Sequence, residues 1–326
     1  MTRAPRIAIV GGGVGGLAAA LALERHGAEI VVCEQSPALN EIGAGLNLSP
    51  NALMALRVLG VEDAVIALGC ESDFLIIRSW KSGRIISHMR RGAFRQQFGA
   101  PNLTVHRADL LDVLRRALKT VDFRLGARCI AAEECDRGAV ARLADGSEIE
   151  ADIIVGADGI HSVVRKRLFG PDAPRFTGCI CWRGMAAANA VPRDIAIAQG
   201  AMWMGPHGHV VHYPVRRGEL INIVAHFESD SWTEEFVDAA LRHVGADDDL
   251  RRLASRPTTP LHLQRALVQM GALRSRSGRA MEQRAGNTAW RFRARHAALS
   301  WSGRGHGDRG RLRALSRDCA LRRRSR

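Results

Sequence analysis

The sequence is poor in several things, and each shortage narrows what the chain can be. Tyrosine occurs once, at Tyr213, so any chemistry that needs a phenolic side chain falls to that residue. The seven cysteines, Cys33, Cys70, Cys129, Cys135, Cys179, Cys181 and Cys319, contain no C-x-x-C pair. That excludes the paired-thiol signatures of zinc ribbons and dithiol redox sites, and buried free thiols are the expected reading, with no metal. A membrane-spanning segment is missing too. Ile7 to Leu23 is uncharged, but it is shorter than the ~20 apolar residues a span needs. Five glycines break it, and it has no signal-peptide cleavage pattern. A cytoplasmic location is the expectation.

Lysine is scarce throughout, occurring only at Lys81, Lys119 and Lys166, whereas acids are scarce in one place only. Residues 265–326 hold 17 arginines, no lysine, and only Glu282, Asp308 and Asp318 as acids. Residues 1–264 balance 30 basic against 30 acidic residues, so the net charge of +14 belongs entirely to the last fifth of the chain. Helical and strand periodicity also stop at about Pro257.

The chain is organised around its first strand, turn and helix. An apolar run, Arg6 to Val10, leads into Gly11-Gly12-Gly13-Val14-Gly15-Gly16 and then into the Ala/Leu run Leu17 to Leu23. Gly11, Gly13 and Gly16 fit G-x-G-x-x-G. The first glycine makes the tight turn, the second lets backbone N–H groups approach a pyrophosphate, and the third lets helix and strand pack closely. Ala28 to Cys33 reads as the second strand. Glu34 at its end lies 18 residues past Gly16, near the ~20 expected for the acid that binds a ribose hydroxyl.

Further along, Ser49-Pro50-Asn51 opens a helix, with serine as N-cap and proline in the first turn. Ile76 to Trp80 and Arg84 to Ser87 read as paired strands about Ser82-Gly83. Thr104 to Arg107 reads as a short strand, and Asp109 as the cap of a helix over Leu110 to Leu118. Asp145-Gly146 makes a hairpin turn. Asp152 to Val155 is an apolar strand ending in Gly156-Ala157-Asp158-Gly159, with a helix over Ser162 to Leu168. Val210 to Val215 and Leu220 to Phe227 flank Arg217-Gly218 as a hairpin, and Glu234 to Val244 reads as an amphipathic helix.

Taken in order, Gly11 to Gly16 with Glu34, Gly43-Ala44-Gly45 with Pro50-Asn51, His106-Arg107-Ala108-Asp109-Leu110, and Gly156 to Gly159 with Ser162 and Arg165 resemble the class A FAD-dependent aromatic hydroxylases. The salicylate hydroxylase-like and 3-hydroxybenzoate 6-hydroxylase-like members are the nearest in pattern. Trp182-Arg183-Gly184 and His212-Tyr213-Pro214 are similar to that group's substrate domain. The resemblance implies a mixed α/β fold: a Rossmann-like FAD-binding domain with inserted strands over 1–174, a smaller β-rich substrate domain over 175–256, and an Arg-rich tail over 257–326 foreign to the family. It implies FAD along Gly11, Gly13 and Gly16, the ribose on Glu34, and Arg107 beside the cofactor, where a guanidinium suits a pyrophosphate. Asp158 would serve FAD and the transient nicotinamide cofactor. The implied reaction uses NADH or NADPH and O2 to hydroxylate a small aromatic acid or phenol, the flavin carrying the chemistry while the protein orients and excludes water.

Residues for the substrate are fewer. Tyr213 is either a substrate contact or a core tyrosine with its hydroxyl satisfied. Arg183 either pairs a substrate carboxylate or stacks within the sheet. Asn47 occupies a loop position where some relatives carry a catalytic histidine, and an amide cannot act as a base. His106 and His212 read as structural.

The family's third motif, a Gly-Asp turn followed by a small residue, His and later Gln-Gly, holds the flavin ribityl chain; the sequence contains nothing like it. Read one base out of frame, however, the codons permitted by Asn287 to Arg311 can spell TLLGDSAHAMLPFLGQGAAMAIEDG in one-letter code, which has that form. Trp290 forces the glycine. A GC-rich gene read out of frame also yields a tail of arginine without lysine. Three readings follow: a hydroxylase impaired by loss of that motif, an inactive frameshifted relative that only binds a nucleotide, and a nucleotide-binding module whose tail binds RNA or DNA. The tail's Gly303-Arg304-Gly305 with Trp290, Phe292 and Trp301 would serve the last, whose signature is salt-dependent binding. Nucleic acid is not the expected partner.

Overall fold

The computed structural model describes residues 3–39, 44–171, 173–191 and 200–228. The expected helix over Glu234 to Val244, the rest of the expected substrate domain and the whole tail lie outside the described residues. In chain order, β1 (Arg6–Val10), α1 (Val14–Arg25) and β2 (Glu29–Glu34) are followed by β3 (Gly45–Leu48), α2 (Pro50–Val58), α3 (Glu62–Leu68) and β4 (Cys70–Glu71). Then come β5 (Phe74–Ser79), β6 (Ile85–Arg90), α4 (Phe94–Phe98), β7 (Leu103–His106) and α5 (Arg107–Ala117). The chain continues through β8 (Asp122–Leu125), β9 (Cys129–Cys135), β10 (Gly138–Leu143), β11 (Glu148–Ala151), β12 (Ile153–Gly156) and α6 (Val163–Phe169). The last described elements are β13 (Cys179–Ala187), β14 (Ala201–Gly205), β15 (Gly208–Val215) and β16 (Leu220–Glu228).

A parallel sheet in the order β12-β1-β2-β8 carries the glycine turn at the end of β1. Its central strands are buried and apolar over Ile7–Val10 and Ile30–Cys33 because both faces are covered there, as parallel sheets require. Alternate residues go to different cores. Ile7, Ile9, Ile30 and Val32 pack with Ala20 of α1, whereas Ala8, Val10, Val31 and Cys33 pack on the antiparallel β11-β10-β9 sheet and α6. A third core joins Leu17 and Leu21 of α1 to Leu53, Val65 and the α5 residues Leu110, Leu111 and Leu114.

The second large sheet runs β13-β16-β15-β14-β5-β6. The inserted strands β5 and β6 thus leave the first half of the chain to extend it, β5 pairing parallel with β14. All three hairpins expected from sequence form, closing β5 on β6, β10 on β11 and β15 on β16.

Two local expectations are corrected. Arg107 is the first residue of α5 rather than the last of a strand, and His106 is the N-cap. Asp109 therefore lies inside the first turn and caps nothing; its carboxylate is taken by Arg216 instead. Ser49 is the N-cap of α2, but its side chain makes no capping bond and turns to the Asn51 amide oxygen.

Candidate functional site

The glycine turn is built by close backbone approach. Gly11 has φ +104, and a Cβ there would stand 2.3 Å from the Ala157 carbonyl oxygen. A Cβ on Gly16 would stand 1.9 Å from the Gly11 carbonyl oxygen. Both positions therefore exclude a side chain, and α1 can rest on the turn only because they do. Gly13 and Gly15 are different. A Cβ at Gly15 meets nothing within 4 Å, and one at Gly13 meets only the Arg107 guanidinium, at 3.8 Å. The first turn of α1 thus faces open space flanked by the first residue of α5, a cation beside the positive end of a helix. A helix start beside a guanidinium suits a pyrophosphate.

Glu34 closes the other side. One carboxylate oxygen accepts from Gly12 N (2.7 Å) and the other from Ser36 N (2.8 Å). Each oxygen keeps a second lone pair for a ribose hydroxyl. The Asp158 carboxylate accepts from Val163 N at 2.7 Å and from the Ser162 hydroxyl. It therefore organises the start of α6, while its backbone nitrogen borders Gly11. Gly11 and Gly16 thus pack against each other and the Ala157-Asp158 backbone, Gly12 holds the Glu34 carboxylate, and Arg107 stands beside Gly13. This donor set fits FAD: a helix start and a guanidinium for the diphosphate, and a carboxylate for the ribose.

The substrate candidates share one face of the six-stranded sheet. Directly paired residues of antiparallel strands point to the same side. Tyr213 pairs with Asn222, His209 with His226, Cys181 with His226, and Arg183 with Val224. All therefore lie on one face, and His212 lies on the other, its ring 6.4 Å from Trp203. Strand β3 crosses the Tyr213 face: a Cβ on Gly45 would stand 2.6 Å from the Tyr213 ring, and Gly45 N donates to the Asn222 amide oxygen at 2.8 Å. Asn47, two residues on, is exposed.

Charge on this face is one-sided. Among the described residues Arg183 makes no ion pair, and its buried Nε has no hydrogen-bond partner. Burial pushes the Tyr213 hydroxyl up to about 12, with the Arg183 cation acting in the opposite direction. Tyr213 is thus a neutral donor at physiological pH. The His209 and His226 rings stack at 4.6 Å. Burial lowers both, followed by the mutual influence of the pair at His209 and by the Arg183 cation at His226.

Sequence reading missed Asn222, His209 and His226. The signal was there, since folding the hairpin about Arg217-Gly218 sets Tyr213 opposite Asn222 and His209 opposite His226.

A pH dependence follows. His106, His209 and His226 are all lowered from 6.5, burial being the leading cause in each. Below about pH 6.5 the unfolded chain then holds more protons than the folded one, so stability is complete above that value and falls as pH drops through it. The urea midpoint should be lower at about pH 5.5 than at about pH 8, above the range where carboxylates titrate. A midpoint that rises on acidification contradicts this.

Among the described residues no cluster of three or more His, Cys, Asp or Glu could hold a metal ion, and no helix is long and apolar enough to cross a membrane.

The model of the FAD binding domain family matches residues 5–285. The chain is 38% identical over 242 residues to a 3-amino-4-hydroxybenzoate 2-monooxygenase of Streptomyces platensis, covering 74% of this chain and 61% of that protein. It is 36% identical to a 3-hydroxybenzoate 6-hydroxylase of Klebsiella oxytoca, covering 70% of this chain and 58% of that one. The chain thus spans about three fifths of the length of these relatives. In fold it is similar to Klebsiella pneumoniae HpxO, solved with FAD and uric acid: TM-score 0.70 at 23% identity, over 82% of this chain and 66% of the other.

Proposed function

This chain belongs to the FAD binding domain family, that of the class A flavin-dependent aromatic hydroxylases, and on that premise we propose that it is built to hydroxylate a small aromatic acid with NADH or NADPH and O2. In this reading residues 1–174 bind FAD and residues 175–256 bind the substrate. The observation that carries the substrate class is Arg183, a half-buried cation without an acidic partner among the described residues, on the face that holds Tyr213.

FAD, when bound, supplies reduction by the nicotinamide and activation of oxygen. The chain's own residues do the rest. Arg183 offers parallel N–H donors to the ring carboxylate, a geometry that fixes the plane of the acid as well as its position. Tyr213 stays protonated and donates a hydrogen bond. Burial and the Arg183 cation disfavour protonation of the His209–His226 pair, so it presents neutral rings to this face. Strand β3 covers the face at Tyr213 and Asn222. The relatives named above act, by their names, on hydroxylated benzoates, which carry both groups this face would recognise.

Arg183→Gln tests the reading. Losing one charge-assisted pair should weaken 3-hydroxybenzoate binding by about 10- to 100-fold, measured by calorimetry on the FAD-loaded chain, and leave FAD affinity unchanged. Equal affinity for the acid in both proteins would overturn the assignment of Arg183.

A further inference from the structure

We infer that Asp109 and Arg216 act as a positioning pair that sets the Tyr213 face of the substrate sheet against the start of α5, where Arg107 stands. The inference rests on the reading above, in which Tyr213 and Arg107 serve substrate and cofactor.

The turn between β15 and β16 is unusual. Arg216 and Arg217 both have positive φ, +50 and +55, and Gly218 follows at +91. Residues with long side chains rarely occupy this region, and they stay there only where the surroundings over-determine them. Here both arginines reach across to the nucleotide-binding half. Arg216 grips Asp109 as a fork, Nε to one carboxylate oxygen at 3.0 Å and a terminal nitrogen to the other at 2.8 Å. Arg217 Nε donates to the Ala67 carbonyl of α3 at 2.7 Å. The same hairpin is tied twice more: the Thr104 hydroxyl of β7 donates to the Pro214 carbonyl at 2.6 Å, and Gly45 N donates to Asn222.

The fork is the tie that joins the two functional groups. Tyr213 lies three residues before Arg216 on β15, and Arg107 lies two residues before Asp109 in the first turn of α5. Displacing one end of the pair therefore displaces a substrate contact or a cofactor contact. An exposed ion pair has little hold; here the Arg216 side chain is 43% exposed, but the Asp109 side chain is only 17% exposed and both its oxygens are engaged. A third group touches the carboxylate, the His106 imidazole at 3.7 Å. Burial lowers His106 first and the Arg216 cation lowers it further, so it competes as a neutral ring, and Arg216 is the cation that Asp109 holds.

Because Tyr213 is the only tyrosine, the full chain grown with ring-13C tyrosine reports that side chain as a single Cζ resonance. Asp109→Asn and Arg216→Ala should each displace it, and the double variant should match either single one, the non-additivity expected of two groups acting as one. Arg216→Lys keeps the charge without the fork and should fall between wild type and Arg216→Ala. Arg116→Ala removes a cation paired with Asp112 on the same helix and should leave the resonance in place. The inference is overturned if both single variants keep the wild-type resonance, if their displacements add, or if Arg116→Ala displaces it equally. Should Arg216→Ala fail to fold, Arg216→Lys and Asp109→Asn decide the question alone. All this is read without ligand. Adding 3-hydroxybenzoate to the wild type tests the aromatic-acid reading separately, since a resonance that does not move refutes that reading and leaves the positioning result intact.

Discussion

Restoring one base between codons 257 and 268 should convert a chain that loses its flavin on gel filtration into one that retains it. The change affects only the segment read as out of frame, and its predicted product contains the Gly-Asp turn and helix that the family resemblance assigns to the flavin's ribityl chain. Three recovered hydrogen bonds at about 1 kcal/mol each would tighten FAD by roughly 100-fold, before any gain from a helix dipole. The unaltered chain should oxidise NADH or NADPH slowly at best when given FAD and salicylate or 3-hydroxybenzoate, and release hydrogen peroxide rather than hydroxylated product. Water-excluding closure of the site is what couples reduction to oxygen transfer. Resequencing the gene is the first check. DNA in which codons 287 to 311 do not spell the motif in the shifted frame removes the basis of the prediction. A well-coupled hydroxylation by the unaltered chain contradicts it outright.

Gly16→Ala should have an effect of similar size for a simpler reason. The added carbon would stand 1.9 Å from a backbone oxygen, and no side-chain rotation relieves that contact. Helix α1 must shift off β1. Overpacking of this kind costs about 1–3 kcal/mol in stability. It also moves the helix start on which the diphosphate would rest, so FAD affinity should fall by about 100-fold or more, the scale of a 2.7 kcal/mol loss. The neighbouring glycines separate the two effects. Gly15→Ala adds a carbon to open space inside the helix and should stabilise the chain by about 0.5–1 kcal/mol. Gly13→Ala makes only an ordinary contact with Arg107, so it should leave stability nearly unchanged and weaken FAD through crowding of the helix start. Urea unfolding and flavin titration on the three variants check this, and equal behaviour at Gly15 and Gly16 would contradict the packing argument.

The sequence showed the nucleotide-binding half clearly because its signals are local. An apolar strand, a glycine turn, an Ala/Leu helix and an acid at the next strand end occupy residues 6–34 without interruption. The Asp109 cap was misread for the opposite reason. Its partner, Arg216, lies 107 residues away, and a carboxylate ahead of a leucine run looks the same whether it serves its own helix or a distant arginine. Which side of the six-stranded sheet β3 covers was also out of reach. Alternation in β15 separates Tyr213 from His212, but only the contact with Gly45 identifies the side that β3 covers. Glu34 illustrates a middle case, since its spacing marked it for a ribose, while its bonds to Gly12 and Ser36 show that it also braces the turn.

We propose that the glycine turn, Glu34 and Arg107 form the site for FAD. The most direct measurement is separate titration of FAD and NAD into the full chain, in its present and frame-restored forms, followed by flavin fluorescence for the first and by calorimetry for both. Saturable FAD binding is expected in both proteins, tighter in the restored one, with no competition from NAD. Tight NAD binding together with no measurable FAD binding in either protein would contradict it.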